Sequence, residues 1–221
     1  MSDVSSPVVV EQLGLISHES AWQRMRDYTD GRDASTPDAL WRCEHPPVFT
    51  LGQAGREEHV HDAGDIPLVP TDRGGQVTYH GPGQIVVYTL VDLRRRGYGI
   101  RDLVTRLENA VIALLADHGI DAVSRRDAPG VYVEGAKIAA LGLRVRRGCS
   151  YHGLALNADV DLAPFARIDP CGYKGMPVTR TADIGLDMEK GPLGDALVQH
   201  VATALAVELA SPASRTDRLT P

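Results

Sequence analysis

Residues 130–148 read GVYVEGAKIAALGLRVRRG. Gly130–Val133 and Lys137–Val145 are strand-like runs, and Glu134-Gly135-Ala136 between them is a glycine-containing turn, so the segment predicts a β-hairpin. Ser150–Asn157 predicts a further strand. On the N-terminal side, Ile100–His118 places Leu103, Leu107, Ala110, Val111, Leu114 and Leu115 on one helical stripe. Gly119 suits the left-handed residue that closes a helix. Hairpins beside helices, without regular strand-helix-strand alternation, predict an α+β fold with a mixed, largely antiparallel sheet.

The rest of the chain extends this pattern. Glu19–Thr29 carries Ala21, Trp22, Met25 and Tyr28 at helical spacing. Leu40–Cys43 and Val48–Leu51 read as short strands around the Pro46-Pro47 break, and Ala54–Asp65 reads as a loop. Ile85–Leu93 predicts a strand with apolar residues on both faces, hence a buried one. Leu193–Leu209 predicts an amphipathic helix with Ala196, Leu197, Val201, Leu205 and Val207 or Leu209 inward. Residues 1–210 are expected to form a single domain, and 211–221 a flexible polar tail.

The chain has 221 residues, 43% hydrophobic and 24% charged, with a net charge of -6. That acidity argues against nucleic acid as partner, since phosphate binding draws on Lys and Arg. Arg94-Arg95-Arg96 and Arg144, Arg146 and Arg147 are basic clusters that could meet an acidic protein or simply be solvated. No apolar run approaches the ~20 residues of a membrane span, and Met1–Pro7 has no signal-peptide pattern. Three cysteines, Cys43, Cys149 and Cys171, fit a reducing compartment better than a disulfide framework. No His/Cys grouping has zinc spacing, so no metal is expected. A cytoplasmic protein is expected, and a monomer, because no heptad pattern is present.

Residues 73–84, RGGQVTYHGPGQ, hold four glycines directly before the Ile85 strand. Glycine lets backbone approach a ligand closely, and Arg73, Gln76, Thr78, Tyr79 and His80 supply polar groups around that approach. The stretch matches neither phosphate-binding glycine pattern. Cys171, in Asp169-Pro170-Cys171-Gly172-Tyr173, stands on irregular backbone and is open to two readings, a small buried hydrophobe or an activated thiol. A free thiol of pKa ~8.5 is only about 3% ionised at pH 7, so a nucleophile needs a nearby cation. Lys137, in an otherwise apolar strand, is either that cation or a solvent-facing residue. His80 and His152 read as core, hydrogen-bonding or catalytic histidines.

With RGGQVTYHGPGQ, GVYVEGAKIAALGLRVRRG, SYHGLALN and RIDPCGY in this order, the chain resembles the lipoyl(octanoyl) transferases over Leu40–Val178. The resemblance implies a fold shared with lipoate- and biotin-protein ligases. It implies that an octanoyl group passes from octanoyl-acyl carrier protein to a lysine of a lipoyl domain, the first step of endogenous lipoate synthesis, without a cofactor. The acceptors would be lipoyl domains of 2-oxoacid dehydrogenase complexes and the glycine cleavage H protein. By the same resemblance Cys171 forms an acyl-thioester and Lys137 assists it. The acyl pocket would comprise Arg73, Gly74, Gly75, Gln76, Val77, Thr78, Tyr79 and His80, with Ala140, Leu141, Gly142, His152, Gly153, Leu154 and Ala155. Amides near Gly75–Val77 or Gly153–Leu154 would hold an oxyanion, and the arginine clusters would dock the acidic partners. The rivals are an ATP-dependent lipoate or biotin ligase on the same fold, needing no cysteine, and a non-catalytic acyl-binding protein.

Overall fold

In a computed structural model of the protein, residues 7–170, 175–186 and 188–209 are described. Cys171, Gly172 and Tyr173 and the expected tail at 211–221 lie outside them. A seven-stranded sheet organises the chain. It contains β1 (Val9–Leu15), β2 (Ala39–Glu44), β6 (Gln84–Leu90), β7 (Val123–Ser124), β8 (Gly130–Val133), β9 (Ala136–Arg146) and β10 (Cys149–Asn157). The order is β1-β2-β6-β10-β9-β8-β7, and every pair is antiparallel except β1 with β2. A second sheet, β4-β3-β5, joins β3 (Val48–Leu51), β4 (Leu68–Pro70) and β5 (Val77–His80). The expected α+β architecture, hairpin included, is present.

The faces of the large sheet differ in side-chain size, and that difference makes the site. One face carries Ile85 and Val87 from β6, Leu154 and Leu156 from β10, and Ile138 and Leu143 from β9. Two helices cover it: α3 (Ile100–Ala116), through Leu103, Leu107, Val111 and Leu114, and α4 (Lys190–Ala204), through Leu193, Leu197 and Val201. Each such side chain contributes about 1.5–3 kcal/mol by leaving water. On the other face the central strands present Ala140 and Gly142 opposite Ala155 and Gly153, residues too small to fill the space above them. Helix α1 (His18–Asp30) covers the β2 and β6 side of that face, where Ala21 and Met25 pack with Trp41, Cys43, Val86 and Tyr88. A trough is left between α1 and the second sheet.

Several boundaries differ from the sequence expectations. The strand expected to reach Leu93 stops at Leu90, because the Asp92 side chain accepts hydrogen bonds from the Arg94 and Arg95 amides at 3.0 and 3.1 Å and starts the short helix α2 (Leu93–Arg96). Helix α3 ends at Ala116, and bonds from Gly119 N to Ala116 O and Ile120 N to Leu115 O close it with Gly119 at positive φ, the expected glycine cap. Helix α4 runs from Lys190 to Ala204, so the expected Leu193–Leu209 helix is wrong at both ends. The same reversal occurs around Ala206, at φ 52°, and carries Leu209 into a bridge with Val8. A non-glycine residue in that conformation is uncommon, so sequence gives no stop signal there. Strand β1 was not expected: VVEQLGL is a half-exposed edge strand whose alternation is weak.

The two basic clusters also part company. Asp38, with a fully buried side chain, receives Arg32 Nη2 at 2.6 Å, Arg95 Nη2 at 2.7 Å and Arg96 Nε at 2.7 Å. Arg95 and Arg96 are therefore turned inward as structural partners, and the 94–96 cluster is not the docking surface expected of it. Arg146, half-exposed, pairs with Asp30 at 2.9 Å.

Candidate active site

Four parts of the fold enclose the trough as a cavity. Its floor is Ala140, Leu141 and Gly142 from β9 with Gly153, Leu154 and Ala155 from β10. Substitution at Gly153 is barred, since a Cβ there would lie 2.0 Å from the Val87 carbonyl oxygen. Val86 and Tyr88 of β6 and His18 of α1 form one end. Arg73, Gly75, Gln76, Val77, Thr78 and His80 form the wall from the glycine-rich stretch, and Lys137, Phe165, Pro170 and Val178 the opposite end.

Most of the residues expected at a pocket converge here. Gly74 and Tyr79 stand back from the lining: the Gly74 amide donates to Leu143 O at 2.9 Å, and the Tyr79 ring packs between Phe49 and Phe165 at 5.5 and 5.4 Å. Arg73 lines the cavity, but its guanidinium donates to Thr50 Oγ1, Thr50 O, Gly74 O and Gln76 O at 2.6–3.1 Å, so it holds the loop's shape. Gly153 and Leu154 lie in a strand paired on both sides, where amides serve the sheet ladder, which removes them as oxyanion donors.

Lys137 is buried, at 6% exposure, and is not the solvent-facing residue its strand pattern allowed. Its backbone is clamped to the segment that follows residue 171. Lys137 N donates to Pro177 O at 2.8 Å, Thr179 N donates to Lys137 O at 3.0 Å, and Asn157 Nδ2 donates to Thr179 O at 2.9 Å. Its side chain crosses Gly130, where a Cβ would come within 2.4 Å of Lys137 Cε and 3.1 Å of Nζ. Only glycine leaves that path open. Nζ sits 5.5 Å from the Tyr132 ring centroid, a favourable cation–π distance. Behind it, Glu108 accepts the Gly130 amide at 2.9 Å. Burial raises the Glu108 carboxyl pKa, partly offset by that amide and by the Lys137 charge.

Four imidazoles gather at the other end. His18 lies 5.5 Å from His45, 6.0 Å from His80 and 6.3 Å from His152 by ring centroid. His45 donates through Nδ1 to Ile16 O at 2.7 Å and accepts from Tyr88 at 2.6 Å. His80 Nδ1 donates to Gln84 Oε1 at 2.6 Å, and Gln84 Nε2 donates on to Asn157 Oδ1 at 2.9 Å. His152, itself at φ 60°, donates through Nε2 to Asp72 at 2.9 Å, and Asp72 also accepts from Trp22 and Tyr151. Burial, first among the causes, pushes all four histidine pKa values down: His18 to about 3, His80 well below its usual range, and His45 and His152 in the same direction. All four are neutral at pH 7. Asp72 moves down too: burial alone would raise its carboxyl, but the His152, Tyr151 and Trp22 hydrogen bonds outweigh it.

His18, His45, Asp72, Tyr88, Gln84 and Asn157 were not expected from sequence as site residues. Gln84 closes the RGGQVTYHGPGQ stretch and Asn157 closes SYHGLALN, so both stood inside the motifs unassigned. His18 and Asp72 come from stretches with no motif. Of the other thiols, burial lifts the Cys43 pKa to about 12 and also raises that of Cys149, which makes both inert, as expected of small buried hydrophobes.

Comparison with known proteins bears on this architecture. Residues 18–202 match the family described as the lipoyl protein ligase A/B catalytic domain. The chain is 64% identical over 180 residues to a protein of Thiobacillus denitrificans named octanoyltransferase, covering 81% of this chain and 83% of that one. It is 60% identical over 198 residues to the octanoyltransferase of Alkalilimnicola ehrlichii, covering 90% and 92%. Among solved structures it resembles a lipoate-protein ligase A bound with ATP (TM-score 0.71, 16% identity, 94% of this chain and 88% of that one). It also resembles a biotin protein ligase of Aquifex aeolicus in complex with biotin and ATP (TM-score 0.56, 12% identity, 91% and 71%). At these identities the structural likenesses concern the fold alone.

Proposed function

The chain belongs to the lipoyl protein ligase A/B catalytic-domain family, and on that premise we propose that it is an octanoyltransferase acting through a Cys171 thioester. The donor is octanoyl-acyl carrier protein, and the acceptor is a lysine of a lipoyl domain. The observation that carries this reading is Lys137: a buried amine at one end of a largely apolar cavity, on backbone tied to the segment beside Cys171. Pro170 lines the same end, and Cys171 is the next residue in the sequence. The inert Cys43 and Cys149 leave Cys171 as the one thiol available for nucleophilic work.

The cycle closes in protons and electrons. Lys137 as ammonium stabilises the Cys171 thiolate. The thiolate attacks the carrier thioester, the C–S bond to the carrier breaks, and the departing sulfur takes a proton from Lys137. The acceptor lysine's neutral amine then attacks the Cys171 thioester, an amide forms, and the thiolate leaves. Neutral Lys137 takes the amine's proton and returns to ammonium. The trough over Ala140, Gly142, Gly153 and Ala155 holds the acyl chain, at about 0.8 kcal/mol per buried methylene. No helix among the described residues is long and apolar enough to cross a membrane, which suits a cytoplasmic enzyme with protein substrates.

Purified protein, octanoyl-acyl carrier protein and a lipoyl domain, mixed without nucleotide, are expected to give the domain carrying one octanoyl amide. Transfer that requires ATP and free octanoate, with none from the carrier, would instead make the protein a ligase.

A further inference from the structure

The buried residues of α3 are leucine, valine and alanine with one exception, Glu108, which is 7% exposed. Burying a carboxylate is unfavourable unless the interior meets it with a donor or an opposite charge. Here Glu108 Oε1 accepts the Gly130 amide at 2.9 Å, at the first residue of β8. Gly130 is also the residue that the Lys137 side chain crosses. Lys137 Cε and Nζ lie 2.4 and 3.1 Å from the place a Gly130 Cβ would take. The carboxylate therefore grips, from the helix side, the same glycine against which the amine lies.

These two contacts bound the distance between the charges. Glu108 Oε1 and Lys137 Nζ lie within ~9 Å of each other, with one glycine between them. Both residues are buried, where salt screens a charge far less than at the surface. The influence is mutual: burial pushes the Glu108 carboxyl up, and the Gly130 amide and then the Lys137 charge act against that push. Two other groups bear on the amine. The Tyr132 ring centroid is 5.5 Å from Nζ, and its hydroxyl donates to Ala128 O at 2.6 Å. The Arg125 guanidinium lies 5.3 Å from the same centroid and pairs with Asp127 at 2.7 Å, so those two charges offset each other. Glu108 adds a net negative charge held inside the fold.

We propose that Glu108 is a positioning residue for Lys137: it fixes Gly130 beside the amine, and its negative charge holds the proton on Lys137 until the carrier sulfur leaves with it. This rests on the acyl-transfer reading above and adds a residue to it. A neutral Lys137 has no proton for the departing sulfur, so loading of Cys171 falls off at high pH. The test is single-turnover loading of Cys171 from octanoyl-acyl carrier protein, followed by intact mass across that fall. Glu108→Gln keeps an oxygen for the Gly130 amide and removes the charge. The alkaline fall in loading rate should then move down by about one pH unit. Glu108→Asp keeps the charge and should leave the fall near its wild-type pH. A purely structural glutamate would lower the rate at every pH without moving the fall. If Glu108→Gln does not fold, the coupling is read from the other partner, because it is reciprocal. Carboxyl-carbon NMR should show the Glu108 titration moving up in Lys137→Met relative to the wild type. A fall unmoved in Glu108→Gln, a fall moved equally in Glu108→Asp, or a Glu108 titration unchanged in Lys137→Met overturns the proposal and leaves octanoyl transfer standing. A wild type that is loaded at no pH overturns the acyl-transfer reading, and this inference with it.

Discussion

Ala155→Leu tests whether the trough is an acyl site. Ala155 is 4% exposed, lies between Val86 and Ala140 in the ladder, and forms part of the cavity floor. Leucine adds three carbons, which project into the trough because the small residues opposite leave no other filled volume there. Two to three methylenes of the substrate lose their place. At about 0.8 kcal/mol per methylene the octanoyl transition state loses about 1.6–2.4 kcal/mol. At 1.36 kcal/mol per tenfold, kcat/KM falls roughly 15- to 60-fold. A butanoyl chain does not reach the filled region, so its kcat/KM stays within about twofold, and the preference between the two chains collapses. The assay is transfer from butanoyl-, hexanoyl- and octanoyl-carrier thioesters, with a thermal melt of the variant as control. An equal loss for all three chains would mean general damage. An unchanged octanoyl rate in a folded variant would place the acyl chain elsewhere.

Gly130→Ala places a Cβ 2.4 Å from Lys137 Cε and 2.7 Å from Ala139 O, at a residue with φ 147°. Displacing the amine by about 1 Å should cost about a hundredfold in kcat/KM, and a wild-type rate in steady-state transfer would show that Nζ does not act from this position. Asp38→Ala leaves Arg32, Arg95 and Arg96 without their shared counter-charge, and a urea titration should show a loss of about 3–5 kcal/mol; a change below about 1 kcal/mol would make the cluster energetically idle. Stability should fall with acidity above the carboxylate range. His18 has a folded pKa of about 3 against 6.5 unfolded, so the unfolded chain binds the extra proton as pH drops through 6.5. That linkage removes about 1.4 kcal/mol by pH 5.5, and His45, His80 and His152 act in the same direction. The depressed Asp72 and Asp38 carboxyls enter only below their unfolded value of 3.8. Equal urea midpoints at pH 7.5 and 5.5 would contradict neutral buried imidazoles.

Sequence revealed the parts of this fold whose residues obey a period. The hairpin around Glu134-Gly135 and the α3 stripe follow from local pattern, and Gly119 marks a helix end because αL backbone favours glycine. It did not reveal β1, whose edge position leaves no clean alternation, or the α4 terminus, where Ala206 adopts the same conformation without glycine to announce it. At the site, the motif stretches converge because β6, β9 and β10 are neighbours. Lys137 looked equivocal in sequence because burial of a lone lysine depends on residues far away, Gly130 and the 177–179 segment. The histidine cluster was illegible for the same reason. His18, His45, His80 and His152 come from four separate segments, and Asp72 joins them only when the second sheet folds over the first. Arg95 and Arg96 read as surface charge because their partner, Asp38, lies 57 and 58 positions upstream.

The central claim is a covalent octanoyl group on Cys171, activated by Lys137. Intact-mass spectrometry after mixing the protein with octanoyl-acyl carrier protein, without acceptor, tests it most directly. One hydroxylamine-labile octanoyl adduct should form, map by peptide analysis to Cys171, be lost in Cys171→Ser, and disappear on adding a lipoyl domain. A labile adduct that persists in Cys171→Ser, or normal transfer by that variant, would contradict the account.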